Sequence, residues 1–113
     1  MNWYLVKIIF HIRIGDFSDA QFDVQQRLIA ATDAENALQK AKLIGTSEEE
    51  EFQNEKNETV SWIFVGVPAI EQLPVLKDGV QLHSSTVESD DPARFLHSIR
   101  EAEAALPVPA FHA

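Results

Sequence analysis

The chain has 113 residues, of which 45% are hydrophobic, with two Trp, seven Phe and one Tyr. This length and composition suit one folded domain and exclude disorder over the whole chain. The lack of cysteine excludes disulfides and thiolate chemistry, and the net charge of −9 disfavours contact with nucleic acid or anionic lipid.

The N-terminal segment 3–14 alternates with period two, which predicts a long strand. It has no positively charged leader region, and its apolar run is too short to span a bilayer, so we expect a cytoplasmic protein with no membrane contact. Turn residues occupy 15–19, and a second alternating run covers 21–31. The two runs are expected to pair as an antiparallel hairpin. The face of the first strand assigned to the core consists of Tyr4, Val6, Ile8, Phe10, Ile12 and Ile14.

A helix is predicted after this hairpin. Thr32 and Glu35 have the spacing of a capping box, apolar residues recur at intervals of three and four, and Gly45 is expected to end the helix. The polar segment 46–58, with Glu48 to Glu51 in a row, predicts a mobile, solvated connection.

The second half predicts a strand over 59–67, an irregular segment between Pro68 and Pro74, and a shorter strand near 80–87. A last helix is expected from Asp91-Pro92, because Asp suits the cap and Pro the first turn. The predicted domain covers 1–106, and 107–113 is a flexible tail.

The element order β-β-α-β-β-α predicts the α+β class. Both helices are expected on one face of a four-stranded antiparallel sheet, which makes a two-layer sandwich. This order is ferredoxin-like after a circular permutation.

Four strings resemble a family of small bacterial proteins, the domain of unknown function family 4288. They are Trp3-Tyr4-Leu5-Val6-Lys7-Ile8-Ile9-Phe10, Gln21-Phe22-Asp23-Val24-Gln25, Phe64-Val65-Gly66-Val67-Pro68 and Leu73-Pro74-Val75-Leu76-Lys77-Asp78-Gly79. The resemblance extends from about residue 3 to about residue 100. It implies a bacterial, cytoplasmic protein and supplies no catalytic residues.

No motif in the chain favours an enzyme, a metal or a cofactor. The four histidines lack metal-ligand spacing, and His83 and Ser84 point to opposite faces if they share a strand. Consecutive acids at Glu48–Glu51 do not converge on one cation, and four glycines form no phosphate loop. We therefore expect no catalytic residues, no metal and no cofactor, and the sequence weighs against enzymatic activity.

The second face of the hairpin is the candidate binding surface. It is too apolar for a solvated face and too basic for a second core. The structural alternative is that loops 46–58 and 68–79 cover it. The residues assigned to this surface are Trp3, Leu5, Lys7, Ile9, His11, Arg13, Gln25, Arg27 and Ile29.

Three functions fit these features. The leading hypothesis is a non-enzymatic binding or oligomerisation module, most simply a homodimer joined through sheet faces or edges. The second is an immunity-like protein that neutralises a basic toxin or nuclease, because charge complementarity speeds association. The third is a small-molecule enzyme or sensor for an anionic ligand, bound in a cleft lined by Lys7, His11, Arg13, Arg27 and His83.

Overall fold

The structure is a computed structural model that describes residues 1–109, with the backbone alone for 17–20. Its elements are β1 (Asn2–Ile14), β2 (Phe17–Ala31), α1 (Ala34–Ser47), β3 (Glu50–Gln53), β4 (Thr59–Gln72) and α2 (Pro92–Ala104). The strands form one antiparallel sheet in the order β2-β1-β4-β3. The prediction of an α+β fold with four antiparallel strands and two helices is confirmed, and the ferredoxin-like assignment is compatible with it.

Two strand positions differ from the prediction. The strand expected over 59–67 is longer and becomes β4, while its hairpin partner is β3 inside the segment predicted to be a mobile connection. Residues 81–89 contain no strand, so the strand predicted near 80–87 is wrong. The edge strand is therefore contributed by the acidic segment that precedes β4.

The β1–β2 hairpin is confirmed, but its turn is shorter than expected. Gly15 has a φ of 59°, and Ile14 lies directly opposite Phe17. A two-residue connection with positive φ is typical of tight hairpins. An irregularity between Ile12 and Ile14 then shifts the register, and beyond it Tyr4 pairs with Ile29 and Val6 with Arg27.

The core lies between this sheet and α1. Its buried side chains are Tyr4, Val6, Ile8, Phe10, Ile29, Ala31, Ala37 and Ala41. Small residues on α1 let the helix approach the sheet closely, as its alanine-rich stripe predicts. The predicted core assignment of Tyr4, Val6, Ile8 and Phe10 is thus confirmed.

The ends of α1 differ from the expected ones. Asp33 rather than Thr32 is the N-cap, and its carboxylate accepts from the backbone N–H of Asn36 at 2.8 Å. The side chain of Asn36 in turn accepts from the backbone N–H of Thr32 at 3.1 Å. Gly45 does not end the helix but lies buried within it.

The chain divides into two compact units, Met1–Leu82 and His83–Ala113. The first contains the sheet and α1. In the second, α2 begins as predicted, because Asp91 accepts from the backbone N–H of Arg94 at 3.1 Å and Pro92 occupies the first turn. The single domain over 1–106 and the position of α2 on the sheet stay predictions. The predicted tail 107–113 lies partly outside the described residues.

No helix in the described part of the chain is long and apolar enough to cross a membrane.

Candidate functional site: the outer face of the sheet

The sheet face opposite α1 is apolar and open to solvent, and we call it the outer face. On β1 it carries Trp3, Leu5, Lys7, Ile9, His11 and Arg13. Directly paired residues of an antiparallel sheet share a face. The register therefore adds Phe22, Val24, Gln26 and Leu28 from β2 and Ile63 from β4. Val65 joins them by strand alternation, because it lies two residues along β4 from Ile63, at an irregularity in the β1–β4 pairing.

The exposed fractions of its side chains distinguish this surface from one with single, scattered apolar residues. Val24, Leu28 and Val65 are 57%, 51% and 58% exposed. Trp3 and Phe22 are also exposed, and Leu5 and Ile9 are half-buried. Contiguous apolar patches of this kind mark contact sites on proteins.

The side chains of the outer face are ordered by cross-strand pairs. The rings of His11 and Phe22 stack with centroids 4.9 Å apart, and Leu5 lies opposite Leu28. Lys7 and Arg13 are basic, whereas Glu71, opposite Leu5 on β4, and Glu51, opposite Ser61 on β3, are acidic. The face is thus nearly neutral on a chain of net charge −9.

The structure corrects part of the predicted binding surface. Gln25, Arg27 and Ile29 lie on the α1 side of the sheet, because they pair with Ile8, Val6 and Tyr4 of the core face. Ile29 is buried there.

The physical reason for this error is the two-residue turn, which places even positions of β1 opposite odd positions of β2. Phe22, Val24, Gln26 and Leu28 of β2 are outer-face residues that the prediction missed, as are Ile63 and Val65 of β4. A two-residue turn puts odd positions of β1 opposite even positions of β2, and this rule, applied to the two alternating runs, identifies the β2 residues of the outer face.

Arg27 belongs to a polar network on the α1 side. Its guanidinium pairs with the carboxylate of Glu48 and donates to Gln25 Oε1, and Gln25 donates to Asp23 Oδ2 at 2.7 Å. The sheet therefore separates Arg27 from Lys7, His11 and Arg13. The single basic cleft proposed for an anionic ligand does not include Arg27.

A cleft of about 450 Å³ adjoins this network. Its lining residues are Phe10, Gln25, Ser47, Glu48, Glu49, Glu50 and Trp62. No group of three or more His, Cys, Asp or Glu side chains within the described residues has the geometry to hold a metal ion.

The loops proposed to cover the outer face instead extend it or flank it. Residues 50–53 and 59–72 are strands of the sheet itself. Leu73 is buried and its backbone N–H donates to the carbonyl of Trp3 at 2.8 Å, which fixes the end of the sheet. The outer face consequently remains exposed.

The model of one protein family, Domain of unknown function (DUF4288), matches residues 3–84. The chain belongs to this family. The resemblance drawn from the strand motifs is confirmed, although the match ends before residue 100. It ends close to Leu82, so the DUF4288 match coincides with the compact unit that contains the outer face. No curated protein and no solved structure matches the chain.

Proposed function

We propose that this DUF4288 protein is a non-enzymatic binding module whose outer face packs against the outer face of a second copy. The observation that carries the proposal is the contiguous, exposed, nearly neutral apolar face. Burial of such a surface is the main favourable term in most protein association.

The size of the face fits a dimer contact. Three long strands, at about 3.3 Å per residue and about 4.8 Å between strands, present a face on the order of 600 Å². A standard interface buries about 800 Å² per partner. Side chains at the rim supply the difference when two sheets pack face to face.

Charge favours a second copy over a basic protein as the occupant. A basic partner is attracted by acidic groups, and of this acidic run the register places Glu51 at the β3 edge of the outer face and Glu50 on the α1 side. Two identical chains of charge −9 repel least when they meet through their least acidic surface.

Val65→Asp tests this contact. It places a carboxylate in the middle of the face, where dimer formation would bury it without a partner. We expect the variant to lower the average mass of the assembly at a given micromolar concentration, measured by sedimentation velocity, with the contact weakened at least about tenfold.

Leu43→Asp is the control. Leu43 is 69% exposed on α1, on the opposite side of the sheet from the outer face, so an aspartate there should leave the mass unchanged. A wild-type chain that is monomeric at these concentrations would overturn the proposal, and so would equal masses for Val65→Asp and wild type.

The bacterial origin, the cytoplasmic location and the immunity-like function stay predictions. Co-purification of a basic protein with the chain would support the immunity-like alternative.

A further inference from the structure

The outer edge of β2 presents unused backbone groups. The carbonyl of Trp3 accepts from Leu73 on the β4 side, so Trp3 and Ala30, which lie opposite each other, form a non-hydrogen-bonded pair. The backbone N–H and carbonyl of Ala30 therefore point away from β1. The ammonium of Lys40 confirms this orientation, because it donates to the Ala30 carbonyl at 2.6 Å. The register is unbroken from Ala31 back to Gln21, so every second residue shares that orientation. These edge residues are Phe22, Val24, Gln26 and Leu28.

The opposite edge of the sheet is interrupted, because β3 covers only Glu50–Gln53 and carries two acids. Beyond the end of β3, the backbone N–H of Phe64 on β4 donates to Glu49 Oε2 at 3.1 Å. Pro68 further along β4 has no N–H to offer. Lys40 occupies one end of the β2 edge. Between Phe22 and Leu28 no described strand pairs with this edge. An edge of this kind is a template for another strand.

The edge is complementary to itself about Gln25. When two β2 strands run antiparallel with Gln25 opposite Gln25 of a second copy, Asp23 lies opposite Arg27 of that copy. Phe22 then lies opposite Leu28, and Val24 opposite Gln26. Opposite charges meet on the α1 side, and apolar side chains meet on the outer face.

The neighbouring register, centred on Gln26, places Asp23 opposite Ile29 and loses these charge pairs. Gln25 is also the midpoint of the open stretch between Phe22 and Leu28. Both the charge pattern and the limits of the edge therefore select the same centre.

We propose that β2 pairs with β2 of a second copy about a two-fold axis at Gln25, joining two sheets into one of eight strands. This contact is separate from face packing and leaves the outer faces of both copies on one side. With both contacts the chain forms a tetramer, and Val65→Asp leaves an edge-joined dimer.

Single-cysteine variants test this register in the full chain, which has no native cysteine. In the proposed register the two copies of residue 25 form a non-hydrogen-bonded pair with Cα atoms about 4.5 Å apart, within disulfide range. We expect Gln25→Cys to form a covalent dimer under mild oxidation, seen by non-reducing electrophoresis. Gln26→Cys is the matched control and should react at least about tenfold more slowly.

Asp23→Arg in the Gln25→Cys background tests the charge pairs. The substituted guanidinium then faces Arg27 of the second copy, and we expect this like-charge contact to slow cross-linking at least about tenfold. Tryptophan fluorescence checks that each variant is folded, since Trp3 and Trp62 both lie in the first compact unit.

The outcomes separate the two proposals. Faster cross-linking at position 26 overturns the register, and equal rates at 25 and 26 indicate collision alone and overturn the edge contact. Self-association that depends on Val65 without cross-linking at 25 also overturns the edge contact but keeps face packing. Cross-linking at 25 with equal masses for Val65→Asp and wild type keeps the edge contact and overturns face packing.

Discussion

Gly45 lies inside α1 at the point where the helix meets Phe64 of the sheet. A Cβ built on Gly45 would lie 2.3 Å from Cδ1 and 2.5 Å from Cε1 of Phe64. We expect Gly45→Ala to lower the free energy of unfolding by about 1–2 kcal/mol. Overpacking costs about 1–3 kcal/mol, and the better helix propensity of alanine returns up to about 1 kcal/mol. Urea unfolding followed by tryptophan fluorescence measures the change.

Gly66→Ala is the control for Gly45→Ala. No atom lies within 4 Å of a Cβ built on Gly66, so the substitution should be close to neutral. A second variant, Phe64→Leu combined with Gly45→Ala, should recover part of the loss because it gives the new methyl group room. A neutral Gly45→Ala would show that Phe64 shifts at no cost.

At the residue scale the sequence predicts types of contact better than exact partners. The alternation from Tyr4 to Phe10 identifies the core face correctly, because burying these apolar side chains against α1 removes them from water. The cap of α1 is displaced by one residue, because Asp33 competes with Thr32 for the same role. The sheet face predicted for Arg27 is wrong, because the face of a β2 residue depends on the length of the β1–β2 turn and not on the residue type.

At the element scale, β3 shows why a charge run is an unreliable sign of disorder. Glu50 and Glu51 have low strand propensity, and alone they favour a solvated segment. Their backbone pairs with Trp62 and Ser61 of β4, and a long neighbouring strand supplies those hydrogen bonds whatever side chains the edge strand carries. The opposite error concerns residues 80–87, whose residue types favour a strand but which pair with none of the four strands.

Asn54 holds the β3–β4 turn together. Its side-chain oxygen accepts from the backbone N–H groups of Lys56 and Glu58, both at 3.0 Å. Asn57, in the same turn, has a φ of 61°. We expect Asn54→Ala to cost about 1–2 kcal/mol, since each lost hydrogen bond contributes about 1 kcal/mol.

Hydrogen exchange localises the effect of Asn54→Ala. Amide protection should fall in β3 while β1 keeps its protection, because a short edge strand opens separately from the central strands. Gln53→Ala, at the neighbouring exposed position, should leave β3 protected. Unchanged exchange in β3 for Asn54→Ala would show that the ladder to β4 alone holds this strand.

At the scale of the whole molecule, net charge opposes the assembly that the apolar surface favours. Two chains of charge −9 repel each other at long range, whereas the proposed contacts act over a few ångströms. The Debye length falls from about 30 Å at 0.01 M to about 8 Å at 0.15 M ionic strength. Added salt therefore removes repulsion between the chains and leaves apolar burial largely intact.

We expect the dissociation constant of the assembly to fall at least about tenfold between 0.01 M and 0.15 M NaCl, measured by sedimentation at fixed pH. Pairs between Asp23 and Arg27 of a second copy weaken with salt, but partly exposed ion pairs each contribute only about 0–1 kcal/mol. Repulsion between the whole chains should outweigh that loss. A dissociation constant that rises with salt would mean that ion pairs, rather than the outer face, dominate self-association.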